Sequence, residues 1–182
     1  MPAPSKLVIS GVLASALCFM AAASTSGLWI DVPFIRQDRD GCGSASLAMV
    51  LRYWQSKKFS VSEDRTDPAR IQRELYQPKL RGISASQMEQ YVRDSGFDAF
   101  AFRADWSDIR QNIAKGRPLI AGLKPRNEPA HYVVVVGAAP DESAALVNDP
   151  ERGKLVRIAR RDFEKAWKGT DNWTLLAVPK QR

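Results

Sequence analysis

The sequence predicts an α+β fold in which a helical first half packs on an antiparallel β-sheet built from the second half. Three observations predict it. Between residues 44 and 94 apolar residues recur at helical spacing, with Asp67-Pro68 and Gln77-Pro78 as start and stop signals. After Gly96 the period shortens to two in Phe97-Asp98-Ala99-Phe100-Ala101-Phe102, or becomes a short continuous apolar run in Tyr132-Val133-Val134-Val135-Val136. The connections between these runs, such as Pro140-Asp141-Glu142-Ser143, are too short for a crossover, so neighbouring strands must be antiparallel.

Taken in order, the chain begins with one positive charge at Lys6, an apolar stretch from Leu7 to Met20 and the small residues Ala21-Ala22-Ala23-Ser24. Residues 1–23 therefore read as a secretory signal peptide, since the stretch falls short of the ~20 residues that span a membrane. A retained anchor is the alternative. Lipidation at Cys18 is disfavoured by the bulky Leu17 before it. Residues 24–182 remain as a single domain, long enough for a sizeable core.

Gly27 to Phe34 reads as an opening strand that Pro33 confines to an edge. Ser44 to about Gln55 is a helix with a wide apolar face, and 56–66 is polar and reads as loop. Asp67-Pro68 caps a second helix to about Tyr76. Ser84 to Asp94 is a third, with Ser86 and Glu89 at capping-box spacing and Ser95-Gly96 as the stop. A strand at 97–102 leads to a helix at 105–115 ended by Gly116. Strands follow at 118–123, from His131, at 144–148, 154–158 and 173–178, with a short helix at 160–167.

The 182 residues carry 27 basic and 20 acidic side chains, a formal net charge of +7. The basic residues are spread along the chain rather than bunched. No Cys-x-x-Cys motif, interleaving of aromatic with basic residues, or Gly-rich phosphate loop occurs, so no cofactor, metal or nucleic-acid partner is expected. The partners expected are a peptide or protein substrate, together with components of a secretion or surface-assembly system.

Thiol and imidazole chemistry has one possible pairing outside the leader, because Cys42 is the only cysteine there and His131 the only histidine in the chain. Cys42 lies where a polar, Gly-flanked turn enters an apolar helix. Unpaired amides and the helix dipole favour negative charge on a sulfur at that place. Gln37 stands five residues earlier, where its amide could support a developing oxyanion beside the Cys42 N–H. His131 opens a buried strand. The next strand ends at Asn148-Asp149-Pro150, and the hairpin between them brings Asp149 back to His131 as orienter of the imidazole, with Asn148 as second choice. Each residue also has a plainer use: a small core cysteine, a surface glutamine, a satisfied core histidine and a turn-forming Asp-Pro.

The series Gln37-x4-Cys42-Gly43-x-Ala45-x-Leu47-Ala48-Met49-Val50-Leu51, then His131-Tyr132-Val133-Val134-Val135, then Asn148-Asp149-Pro150 resembles the bacteriocin-processing (double-glycine) peptidase family and its free-standing relatives. The resemblance implies a papain-like fold and a triad of Cys42, His131 and Asp149, with Gln37 in the oxyanion hole. Two departures stand out. Transporter-fused members carry Asp directly before the cysteine, where this chain has Gly41 with Asp40 one position earlier, and the Gln37 spacing is one residue shorter. The expectation is an exported cysteine peptidase, periplasmic or secreted, that processes a secreted or surface-assembled protein. A cell-wall peptide amidase or acyl transferase with the same triad is one rival; an accessory binding module of a secretion system is the other. Trp54, Trp106 and the Lys124 to Ala130 loop are candidates to line the cleft, although a core or surface role is the more usual one for each tryptophan.

Overall fold

A computed structural model describes residues 28–180. The leader at residues 1–23 and Cys18 lie outside the described residues. Helix α1 (Cys42–Ser56) is buried without interruption from Gly43 to Leu51. A helix apolar on every side belongs in the interior, and α1 lies across strands β3 (Leu119–Leu123) and β4 (His131–Ala138). Its far end is fixed by Tyr53, whose hydroxyl donates to the Gly116 carbonyl at 2.7 Å, and by Trp54, whose Nε1–H donates to the Ala177 carbonyl at 3.0 Å.

The sheet also contains β2 (Phe97–Arg103), β5 (Ala144–Asp149), β6 (Gly153–Ala159) and β7 (Trp173–Pro179), in the spatial order β2-β7-β3-β4-β5-β6. Every pairing is antiparallel, as the short connections require. Strand β1 (Leu28–Trp29) pairs with Gly137 and Ala138, beyond the point where Leu119 of β3 meets Val135. Among the described residues, the strand expected from Gly27 to Phe34 covers only Leu28 and Trp29. Gly137 makes that docking possible, since a Cβ there would sit 2.6 Å from the Leu28 carbonyl oxygen. Val32 then leaves the sheet for the core.

Two local readings need correction. The 56–66 segment contains a one-turn helix, α2 (Glu63–Thr66). Neighbours hold it there, because Arg52 Nε donates to the Thr66 carbonyl and the Tyr91 hydroxyl to the Arg65 carbonyl. The capping box of α4 (Ala85–Asp94) is Ser84 with Gln87, not Ser86 with Glu89. Ser84 Oγ accepts from the Gln87 amide at 3.3 Å and Gln87 Oε1 from the Ser84 amide at 3.2 Å, whereas Glu89 pairs with Arg93. The remaining caps follow the sequence. Asp67 caps α3 (Pro68–Leu75), and Asp105 with Asp108 boxes the start of α5 (Trp106–Ala114). Helix α6 (Arg160–Lys168) buries Phe163 and Trp167.

Candidate active site

Val134 pairs with Asn148 across the β4–β5 hairpin, so one rung further places Asp149 opposite Val133, on the face that His131 shares and diagonal to it. The gap is within reach of the two side chains. His131 Nε2 lies 2.8 Å from Asp149 Oδ1. The same oxygen accepts the backbone amides of Glu151 at 2.9 Å and Arg152 at 3.2 Å, and the Arg152 guanidinium faces Oδ2 at 3.7 Å. Asp149 is 2 % exposed, and these donors compensate the loss of water. Burial works to raise its pKa, but the His131 bond and charge and the two amides outweigh it and hold the carboxyl below the usual value.

Asn148 is one residue off this face and does other work. Its Nδ2 donates to the Val32 carbonyl at 3.0 Å and its Oδ1 accepts the Leu155 amide at 3.1 Å. It is the fully buried pin between β5, β6 and the segment leaving β1. The second choice for orienting His131 is therefore excluded by strand alternation.

Cys42 and Gln37 line the cleft, of about 660 Å³, that also contains His131 and Asp149. Burial pulls the imidazole pKa down, but Asp149 and Cys42 bond to it and act on it as charges, and it is pushed up to about 9. The ring therefore keeps its proton through neutral pH, bonded to the Asp149 carboxylate. Gln37 is placed from behind by its own backbone amide, which donates to the Pro150 carbonyl at 3.0 Å, and by Arg36, whose Nη1 donates to the Glu151 carbonyl at 3.0 Å. Gln37 Oε1 is buried without a partner.

Helix α1, with Gly41 at its N-cap, has no side-chain cap, unlike α3, α4 and α5, and no acidic residue in its first turn. The donors at that end are left to the cleft. Gly41 and Gly43 matter for close approach: a Cβ at Gly41 would stand 3.0 Å from the Asp38 carbonyl oxygen, and one at Gly43 would stand 3.2 Å from Ile83 Cβ. Ile83 follows the turn closed by the Gln77–Gly82 bridge, whose Leu80 and Arg81 line the cleft together with Cys42. Sequence reasoning missed this turn, because nothing local in Gln77 to Gly82 marks it as a cleft wall.

Asp40 does not face His131. With φ at +56° it directs its carboxylate to the Tyr76 hydroxyl at 3.2 Å and Arg81 at 3.1 Å, tying the turn before Cys42 to the segment after α3. Of the expected cleft liners, Pro125, Glu128, Pro129 and Ala130 take that place. Trp54 and Trp106 do not: both are in the core, Trp54 bonded to β7 and Trp106 beneath the Arg160 guanidinium. The core role, the more usual one for each, is the one they take, and the apolar wall comes from Leu123, Ile158, Phe163 and Ala166.

An antiparallel sheet crossed by a buried helix, with a thiol at the helix start and a histidine–aspartate pair at the strand ends, defines a papain-like cysteine peptidase. Residues 29–174 match the model of the Peptidase_C39 like family. The chain belongs to that family. It is 30% identical over 145 residues to the transport/processing ATP-binding protein ComA of Streptococcus pneumoniae. It is 33% identical over 147 residues to the lactococcin-G-processing and transport ATP-binding protein LagD of Lactococcus lactis. These alignments span 78% and 81% of this chain but only 18% of either relative. Among solved structures, a putative C39-like peptidase from Bacillus anthracis matches 86% of this chain and 100% of its own, with TM-score 0.65 at 18% identity. A double glycine motif protease from an AMS/PCAT transporter, in complex with the leader peptide, matches 84% of this chain and 94% of its own, with TM-score 0.60 at 25% identity.

Proposed function

We propose that this cysteine peptidase cuts peptide bonds with Cys42 as nucleophile, His131 as acid and base, Asp149 as orienter and Gln37 as oxyanion donor. The observation that carries the reading is the 2.8 Å bond between His131 Nε2 and Asp149 in the cleft that also holds Cys42. With Nε2–H given to Asp149, Nδ1 is the nitrogen that exchanges a proton with the sulfur. The sulfur attacks the peptide carbonyl carbon, and the oxygen takes the electron pair as an oxyanion. The Gln37 amide and the Cys42 N–H donate to it. As the intermediate collapses, the C–N bond breaks and Nδ1–H protonates the leaving amine. Water then gives a proton to Nδ1 and attacks the thioester, the C–S bond breaks, and the thiolate returns.

The substrate we propose is a peptide segment removed from a secreted or surface-assembled protein, a reading supported by the leader-bound relative. Export rests on the character of residues 1–23. Mass spectrometry of exported proteins from cells carrying the native chain or Cys42→Ala tests both. New amino termini that depend on Cys42 are expected; equal termini in the two cultures would overturn the reading. New termini only in purified wall peptide would make the enzyme an amidase instead.

A further inference from the structure

Beside the catalytic cleft is a second recess of about 560 Å³ that shares Asp40 and Arg81 with it. Three guanidinium groups line it, Arg39 from the turn before Cys42, Arg73 from α3 and Arg81 from the Gln77–Gly82 turn, against the single carboxylate of Asp40. That carboxylate is spent. One oxygen is taken by Arg81 at 3.1 Å and the other by the Tyr76 hydroxyl at 3.2 Å. Arg65 and Arg70 on the same side of the molecule have acidic partners, Glu74 and Asp64. Arg39 and Arg73 have no carboxylate within ion-pair distance among the described residues. The recess thus keeps uncompensated positive charge a few residues from the sulfur.

The cleft itself carries the opposite sign. Glu128, Glu151 and Asp162 line it, while Arg152 is turned to Asp149. A peptide laid over Cys42 and His131 therefore meets acidic residues in the cleft and arginines where the cleft joins the recess at Asp40 and Arg81. We infer that the Arg39–Arg73–Arg81 recess is a subsite for a carboxylate of the substrate, either an Asp or Glu side chain or a chain terminus. Guanidinium forks suit that chemistry, because they bind carboxylates through paired hydrogen bonds. The inference rests on the reading that peptides are cut in the adjoining cleft. It adds a constraint on which peptides enter and in which orientation.

The test is binding to the full chain carrying Cys42→Ala, read by fluorescence anisotropy with dansylated Ala–Gly decapeptides. Each peptide bears Glu or Gln at one position in turn, with a free or an amidated C-terminus. At one or two positions Glu is expected to bind about tenfold more tightly than Gln. That preference should shrink as salt is raised and be lost in Arg39→Gln/Arg73→Gln. A preference seen only with the free C-terminus would assign the recess to a chain terminus. Equal affinity of Glu and Gln peptides throughout, or a preference that survives the double substitution, would overturn the inference. Turnover of the same peptides by the intact chain is a separate readout: Glu preference without turnover would fail the peptidase reading and leave the recess standing.

Discussion

The two sides of the cleft solve opposite electrostatic problems. At the start of α1 the backbone donors have no side-chain cap, although α3, α4 and α5 all have one. At the end of β5 the Asp149 carboxylate is surrounded: its Oδ1 alone takes a side-chain donor and two backbone amides. The carboxylate is fully solvated by protein, whereas the helix start, where the proposed mechanism develops charge, is left with donors unspent. Local stability is given up on one side and accumulated on the other. That division is what electrostatic preorganisation requires.

Substitutions can break this contrast in graded ways. The largest effect is expected at the sulfur: Cys42→Ala should lower turnover of a cleaved peptide to background, measured with the full chain. Next, Asp149→Ala should lower kcat on the order of 10³- to 10⁴-fold, because the imidazole loses its orienting acceptor. If kcat fell by only a fewfold, the surrounded carboxylate would be structural. Gln37→Ala, which removes one donor from the unspent side, should cost about 10²- to 10³-fold in kcat with little change in KM.

The pH dependence sharpens the same contrast. Because His131 is raised to about 9, activity that needs the imidazolium should hold through neutral pH and fall along an alkaline limb near that value. Stability follows the same sign. A raised folded pKa contributes stability that is complete below the ordinary value of 6.5 and is lost as pH rises through about 9. Asp149→Asn should move the limb to lower pH. The smallest effect concerns a helix that does have its cap: Ser84→Ala should cost about 1 kcal/mol in denaturant unfolding and leave kcat as it was.

The sequence made much of this site legible because its chemistry is local or pairwise. The helix start at Cys42 is marked by glycines, and the Asp149 placement follows from strand alternation in one short hairpin. The excluded role of Asn148 was open to the same parity argument. What could not be read depends on segments distant in sequence. The Asp40 turn is held by Tyr76 and Arg81, the cleft wall opposite includes Phe163 from α6, and the arginine recess draws on three separate elements. Trp54 and Trp106 took the core role that is usual for large aromatic residues, but which side chains line the cleft in their place is invisible in a linear pattern. The capping box failed for a smaller reason. Ser84 and Ser86 are both plausible first residues, and only the extended backbone at Ser84 decides between them.

The backbone bond from Gln37 to Pro150, with Arg36 reaching the Glu151 carbonyl beside it, joins the loop before Cys42 to the loop after Asp149. In engineering terms, these two loops form a single exchangeable part. A chimaera that imports residues 31–40 from another family member must import 148–152 with them, or Gln37 and Asp149 will arrive out of register with each other.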